Sequence, residues 1–222
     1  MQKVAVRAHL NNTDYYLAPR QRVASLLSAM TEVSVNLHPV HGLFENRKQG
    51  YRAEFHYAPT TMKNEIDLQI TCMLKAIHRF LSNDKHDYLF IEVASHIILN
   101  QTFSDKLNTL MQYNPELSGH LILLLQLEKL NFNSAHERAI QALSQQLFMR
   151  GVQLGIEIKS NQSACFPHQY IDLPASPHIL ITYSDLWMQQ QSNIDVLNGI
   201  IRNFRSKTQP LWLDHHDHRT LS

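Results

Sequence analysis

The stretch HLILLLQLE (120–128) is almost continuously apolar, with five leucines and one isoleucine in nine positions. Such a run is typical of a strand buried on both faces, as in a parallel sheet covered by helices. Strand and helix patterns alternate on either side of it, which predicts an α/β fold with crossover helices. An open sheet and a β/α barrel both satisfy this alternation. No glycine-rich phosphate loop follows a predicted strand, so a nucleotide-binding open sheet has no support.

The predicted elements follow apolar periodicity and turn residues. Helix 65–81 has the clearest apolar face, with a three-to-four-residue spacing. Glycine is scarce, with 6 residues in 222, and we find no low-complexity linker, which favours one continuous domain. The predicted strands are 33–40, 51–57, 88–95, 120–128, 152–158, 178–183 and 210–214. The predicted helices are 22–30, 65–81, 103–113, 134–151 and 193–207.

Composition narrows the function classes. The formal net charge is +1, which gives no strong electrostatic bias toward nucleic acid or a membrane surface. The two cysteines, Cys72 and Cys165, fit a reducing compartment better than a disulfide framework. No segment approaches the roughly 18 apolar residues that a membrane helix needs. We therefore expect a cytoplasmic protein without membrane or direct nucleic-acid binding.

The strand in GYRAEFHYAP (50–59) carries polar residues on one face. Tyr51 and Phe55 alternate with Arg52, Glu54 and His56, so the second set shares a side of the strand. That side contacts either water or a functional site.

The predicted strand ends carry several acidic residues. In a β/α barrel these ends meet at one rim, where chemistry is usually placed. Acidic groups there would suit a hard metal ion, whereas the alternative is ordinary polarity near the surface. The residues at this rim are Glu92, Glu128, Glu157, Tyr183 and Asp214.

Six segments, in order, resemble the EAL domain, the bacterial phosphodiesterase domain for cyclic-di-GMP. The resemblance spans about residues 22–217 and implies a TIM-like (β/α) barrel. The segments are LHPVHGLFENRKQGYRAEFHY (37–57), FIEVASHIILNQTF (90–103), LILLLQLE (121–128), MRGVQLGIEIKSNQSACF (149–166), HILITYSDLW (178–187) and PLWLDHHDH (210–218).

The resemblance implies a degenerate catalytic site. Active members hold two divalent cations with carboxylates and an asparagine, and a lysine assists the attacking water. The signature glutamate falls at Arg52, a permanently positive group that cannot ligate a cation. The asparagine falls at Glu92 and the catalytic lysine at Ile181. The other vestigial positions are Glu54, His56, Glu128, Glu157, Ile158 and Asp214.

Arg52 has two interpretations. By this alignment it points into the barrel mouth, where it would pair with Glu92, Glu157 or Asp214 in place of the metal. The alternative is an exposed arginine at a strand end.

The resemblance also implies an incomplete barrel. The chain matches no eighth strand, and one outer helix is missing or shortened between residues 58 and 67. A barrel lacking a strand would expose two edges that invite pairing. We assign residues 1–21 to an N-terminal segment, whose stretch 3–10 alternates enough to be a strand completing the barrel. Residues 22–222 form the degenerate EAL-like domain.

These observations predict a non-enzymatic regulatory protein without a cofactor. It would act through a protein partner, such as a transcription factor, in transcription, motility or biofilm control; a homodimer is a further alternative. A second hypothesis is a receptor that binds cyclic-di-GMP without hydrolysis, disfavoured by His56 and the lost glycine loop. Candidate partner-binding residues are Tyr15, Tyr16, Arg20 and Arg22.

Overall fold

The fold is an α/β barrel, seen in a computed structural model of the chain. The structure describes residues 33–43, 49–57, 65–82, 87–126, 134–159, 178–205 and 211–215. Its strands are β1 (Val33–Gly42), β2 (Gln49–Tyr57), β3 (Tyr88–Glu92), β4 (Leu121–Gln126), β5 (Val152–Lys159), β6 (His178–Tyr183) and β7 (Leu211–His215). Its helices are α1 (Glu65–Leu81), α2 (Ser95–Ile98), α3 (Gln101–Tyr113), α4 (Ser134–Met149), α5 (Asp185–Met188) and α6 (Gln191–Arg205).

The seven described strands close into a barrel in sequence order. Strands β2 to β7 are parallel to one another, whereas β1 is antiparallel to β2 over nine residue pairs, from Val33–Tyr57 to His41–Gln49. On its other side β1 pairs with β7, also antiparallel, through His41–Leu213 and Gly42–Trp212. The expectation of two open edges is therefore wrong, because β1 turns back as a hairpin and joins β2 to β7.

The strands of the barrel lie between two apolar layers. The inner layer fills the barrel and the outer layer packs the strands against the helices. Alternate residues of β4 belong to the two layers, which explains its continuous apolar run. The inner layer contains Val40, Phe90, Ile122, Leu124, Leu180 and Trp212. Outer-layer members from β4 to β6 include Leu121, Leu123, Leu125, Ile156, Ile158, Ile179 and Ile181.

Helix α1 matches the predicted bounds 65–81. Its apolar face packs on the hairpin of β1 and β2, and two cations on the same helix bind the β1 backbone. Lys75 Nζ donates to the carbonyl oxygen of Val33, and Arg79 Nη1 donates to that of Val35. Cationic side chains on strand carbonyls discourage another strand from pairing there. The outer face of the hairpin is thus covered by α1.

Two glycines are required by local geometry. Gly151 follows α4 with φ of 75°, a conformation that L side chains rarely adopt. Gly50 lies inside the barrel, where an added Cβ would be 2.5 Å from Cε2 of Phe90. Both positions end or begin a barrel element, so a larger residue at either would disturb strand placement.

A buried polar chain crosses the amino-terminal end of the barrel. The indole Nε1 of Trp212 donates to Nδ1 of His178 at 3.0 Å, and His178 Nε2 bonds to the side-chain oxygen of Gln153. The Gln153 amide nitrogen donates to the carbonyl of Gly119 at 2.8 Å. Because an indole N–H only donates, Nδ1 of His178 must accept, which fixes the neutral ring with its proton on Nε2. This chain links β5, β6 and β7.

The sequence-based elements are largely confirmed. All seven predicted strands occur, and the four predicted helices that fall on described residues also occur, with ends shifted by up to three residues. Strand β3 stops at Glu92, and the short helix α2 begins at Ser95 within the predicted strand. Predicted helix 22–30 and the candidate strand 3–10 lie outside the described residues. Within the described part of the chain, no helix has the length and apolarity to cross a membrane.

Candidate functional site

Four strands place charged side chains inside the carboxyl-terminal mouth of the barrel. Asp214 lies two residues after the inner-layer Trp212, so strand alternation turns its side chain inward. The same alternation places Glu92 two residues after inner-layer Phe90. Arg52 pairs in register with Phe90, and Glu157 completes the group from β5. The mouth therefore brings together four residues singled out from the sequence.

The guanidinium of Arg52 contacts all three carboxylates. Its Nη1 lies 2.8 Å from Oδ2 of Asp214 and 2.9 Å from Oε1 of Glu157. Its Nη2 lies 3.3 Å from Oε2 of Glu92. Arg52 is 8% exposed, which excludes the exposed strand-end interpretation. The pairing expected from the sequence is confirmed by these distances.

The surrounding carboxylates hold the charge on Arg52. Burial by itself would lower the pKa of Arg52, since desolvation disfavours the charged form. The charge of Glu157, the hydrogen bond and charge of Asp214 and the charge of Glu92 outweigh burial and raise the pKa above its ordinary value. The guanidinium is therefore a permanent cation at the centre of the mouth.

Thr182 is a member of this cluster that the sequence analysis missed. Its Oγ1 accepts from Arg52 Nη1 at 3.2 Å and donates to Oε1 of Glu157 at 2.8 Å. It lies two residues after the inner-layer Leu180 on β6, so it faces inward. The available signal was the threonine in the largely apolar strand HILITY (178–183).

Glu157 is incompletely satisfied. Its side chain is 0% exposed, and Oε2 has no hydrogen-bond partner among the residues that the structure describes. Lys159 Nζ is 3.8 Å from that oxygen, close enough for charge attraction but too far for a hydrogen bond. A buried carboxylate oxygen without a donor costs free energy, so this position is ready to accept a further donor.

The hairpin of β1 and β2 forms a polar wall above the mouth. Glu54 Oε2 lies 2.7 Å from His38 Nε2 and 3.6 Å from His56 Nε2. Asn36 Nδ2 lies 3.4 Å from His56 Nε2. Glu54 and His56 are on the same strand face as Arg52 but follow the last residue of β2 that pairs with β3. The contacts described here for both residues are within the hairpin.

Two predicted site positions are wrong. Ile158 and Ile181 belong to the outer layer between strands and helices, not to the mouth. Their neighbours Glu157 and Thr182 point inward instead, because successive residues of a strand face opposite sides. Glu128 and the candidate partner-binding residues Tyr15, Tyr16, Arg20 and Arg22 lie outside the described residues.

The mouth does not fit the divalent cations that the resemblance implies. The guanidinium of Arg52 lies where a metal would have to meet Glu92, Glu157 and Asp214, and it repels cations. Within the described ranges, no group of three or more His, Cys, Asp or Glu side chains is placed to hold a metal ion.

Solved EAL domains share this fold. The FimX EAL domain aligns with a TM-score of 0.62 at 14% identity, covering 85% of this chain and 83% of that one. The Pseudomonas aeruginosa FimX EAL domain bound to c-di-GMP aligns with a TM-score of 0.60 at 16% identity and the same coverage. Bacillus subtilis YkuI, in complex with substrate c-di-GMP and calcium, has a TM-score of 0.61 at 12% identity, covering 92% of this chain and 52% of that one.

No family model and no curated protein matches the sequence. The structural likeness, at these identities, establishes the fold alone. The chain thus has the fold of an EAL domain, as the resemblance implied, with an arginine at the centre of its mouth.

Proposed function

We propose that this protein is a non-catalytic regulatory domain of EAL fold that acts by binding another protein. The observation that carries the proposal is the guanidinium of Arg52 lodged among Glu92, Glu157 and Asp214. This internal cation takes the place of the metal ions that hydrolysis by active EAL domains requires.

The chemistry of the mouth supports loss of hydrolysis. Metal-assisted attack on a phosphodiester needs a cation to lower the pKa of water and to bear the developing charge. A guanidinium donates hydrogen bonds and does not coordinate a water molecule as a metal ion does. It also cannot lose a proton to serve as a base. In the described part of the chain Glu157 also has Thr182 and Lys159 as neighbours, and neither side chain makes a metal site.

The outer surface offers support for a protein partner. The last two turns of α4 (Ser134–Met149) carry no charged residue from Gln141 to Met149. Phe148 and Met149 are exposed there, Met149 to 85%. Apolar side chains on a helix surface without charges are typical of contact surfaces. The partner we propose is a regulatory protein such as a transcription factor.

Hydrolysis and metal binding test the catalytic half of the proposal. Purified protein, incubated with c-di-GMP and Mg²⁺, Mn²⁺ or Ca²⁺, is expected to give no product above a protein-free control. Turnover that requires the metal and disappears in Glu157→Gln would overturn the proposal.

Charge reversal at Arg52 gives a second test. In Arg52→Glu four carboxylates meet without the guanidinium, so we expect the melting temperature of this variant to rise with added Ca²⁺, which binds carboxylates. The wild type and Arg52→Met, which removes the charge without adding a ligand, should not respond. A Ca²⁺ response of the wild type would contradict the proposal.

A second candidate is a c-di-GMP receptor without hydrolysis. The structures of FimX and YkuI contain c-di-GMP, and the polar wall of Asn36, His38, Glu54 and His56 could contact a ligand at the mouth. Titration calorimetry with c-di-GMP, with and without Ca²⁺, separates the two. Micromolar binding weakened by Glu54→Ala would favour the receptor, and no heat would favour the protein-binding role.

A further inference from the structure

The seam between β1 and β7 is the shortest strand pairing of the described barrel. It consists of two residue pairs, one of which is Gly42–Trp212. One further backbone bond runs beside them, from the amide of Leu43 to the carbonyl oxygen of Leu211 at 2.8 Å. By comparison, β1 pairs with β2 over nine residue pairs. The position of Trp212 therefore decides whether the barrel closes.

His178 on β6 holds Trp212 in that position. The indole Nε1 donates to Nδ1 of His178 at 3.0 Å, and both residues are buried, with exposed fractions of 2% for Trp212 and 3% for His178. The amide nitrogen of Gln153 donates to the carbonyl of Gly119, so the amide oxygen is left to accept the proton of His178 Nε2. Trp212 is thus bound to an acceptor that exists only in the neutral ring.

Protonation of His178 removes this acceptor. Because Nε2 already carries a proton, a second proton must go to Nδ1, where it would face the indole N–H. Whatever else contacts the ring, a protonated Nδ1 cannot accept a hydrogen bond. A buried imidazolium without a partner for this new donor is costly, so the charged ring is driven toward water.

The ring of His178 is packed among side chains from three strands that carry no charge at acidic pH. Of these neighbours only Tyr88 titrates, and a phenol is neutral in acid. His120 lies against Tyr88, with ring centroids 6.0 Å apart, and its Nδ1 is 3.1 Å from the carbonyl oxygen of Asp87. A charge gained by His120 would repel an imidazolium at His178. The neighbours of the ring are Gln153 of β5, Tyr88 and Phe90 of β3, and Trp212 of β7.

We propose that protonation of His178 opens the seam between β1 and β7 at the amino-terminal end of the barrel. The imidazolium separates from Trp212 and moves toward water, which the half-buried Gln153 and Tyr88 already meet at this end. Trp212 then loses its fixed position and its pairing with Gly42. The edges of β1 and β7 become available to another strand at acidic pH. This device is independent of the proposed function, because the mouth lies at the opposite end of the barrel.

The pH dependence of stability tests whether the closed barrel excludes the proton. An unfolded histidine takes up a proton near pH 6.5, whereas His178 in the closed barrel does not, so unfolding becomes more favourable below that pH. His178→Asn places an amide oxygen near the position of Nδ1 and keeps an acceptor that does not titrate. Between pH 7.5 and 5.5 the equilibrium constant for unfolding in urea should rise up to about tenfold more in the wild type than in this variant. The matched control is His78→Asn, an exposed histidine of α1, which should behave as the wild type.

Hydrogen exchange, measured by mass spectrometry on the full chain and corrected for intrinsic rates, locates the opening. From pH 7.5 to 5.5 the protection of residues 40–43 and 211–213 should fall about tenfold, while residues 121–125 of β4 stay protected. His178→Asn should show no such fall. Trp212→Phe keeps His178 but has no indole bond for the proton to break, so the pH dependence of its seam should also be lost. This second variant gives the same comparison if His178→Asn does not fold.

Three results would overturn the proposal. The first is an equal rise of the unfolding constant in the wild type and in the variant that does not titrate. The second is a seam that keeps its protection at pH 5.5. The third is an equal loss of protection in β4, since the whole barrel would then unfold rather than its seam.

Discussion

Arg52 Nη1 and Asp214 Oδ2 lie 2.8 Å apart although 162 residues separate them in the sequence. Arg52 is on β2 and Asp214 on β7, the two strands that flank β1. The pair therefore spans the interior of the barrel and connects the neighbours of the antiparallel strand. The guanidinium of Arg52, which lies where a metal would have to bind, therefore also links two strands of the barrel.

Removal of Arg52 should destabilise the protein strongly. Arg52→Ala leaves Glu157 and Asp214 as buried carboxylates without their cation, and breaking a buried pair in this way costs about 3–5 kcal/mol. The free energy of unfolding, measured by urea denaturation, should fall by that amount. Arg202→Ala removes an exposed arginine of α6 and should change it by less than about 0.5 kcal/mol. Equal free energies of unfolding for the two variants would show that the buried ion pairs of Arg52 do not stabilise the fold.

Thr182 should matter through its hydroxyl rather than its shape. Thr182→Val keeps the volume but removes the donor to Glu157 Oε1 and the acceptor for Arg52. We expect a loss of about 1–3 kcal/mol in unfolding free energy, the cost of unsatisfied buried groups. Thr109→Val, where the hydroxyl bonds a carbonyl on an exposed helix face, serves as the control. A loss of unfolding free energy no greater than in the control would show that Thr182 contributes only by packing.

The bond between Trp212 and His178 should appear as coupling in a double-mutant cycle. His178→Leu leaves the indole N–H of Trp212 without its acceptor, and Trp212→Phe leaves Nδ1 of His178 without its donor. Each single change should cost about 1–3 kcal/mol beyond packing effects. The double variant should lose less than the sum by about 1 kcal/mol or more. Strict additivity in urea unfolding would mean that the bond is not formed in solution.

Cys72 should be an unreactive thiol. Burial raises the pKa of Cys72 to about 11, and the charge of Lys75 offsets this only in part. At pH 8 the thiolate fraction is then roughly two orders of magnitude below that of an unfolded cysteine with a pKa near 8.5. In a Cys165→Ser background, alkylation by iodoacetamide should be at least 100-fold slower in the native protein than in urea. Native-state alkylation should quicken about tenfold per pH unit between pH 8 and 10.

One result of the alkylation experiment would contradict the prediction for Cys72. Alkylation of the native protein at a rate close to that in urea would mean that α1 does not bury Cys72 as the structure shows.

Local patterns were sufficient for the strands, the main helices and the class of fold. The sequence of strand β4 predicts burial on both faces, because every residue from Leu121 to Leu125 has a branched aliphatic side chain. Alternation over Tyr51 to Phe55 put Arg52 on the polar face of β2, and the resemblance to the EAL domain placed that face in the barrel mouth. The pairing with acidic strand ends then follows from charge and from the shared rim of a barrel.

Contacts between distant strands were beyond the reach of those patterns. Nothing in HPVHG (38–42) shows that His41 and Gly42 pair with β7, because such pairing depends on strand placement across the whole barrel. The assignment of Ile181 failed for a related reason, since a one-residue shift in alignment exchanges the two faces of a strand. Strand β3 stops at Glu92 because its ladder with β4 ends there, which no property of Val93 reveals.

The contact of β1 with β7 also bears on how the chain is made. Synthesis proceeds from the amino terminus at roughly 5–20 residues per second, so Leu211 follows Gly42 after on the order of ten to thirty seconds. During that interval the nascent hairpin carries a strand whose second neighbour does not yet exist. A ribosome that stalls before β7 therefore holds an unsealed sheet, and quality-control factors that recognise unpaired strands would meet this protein at that moment.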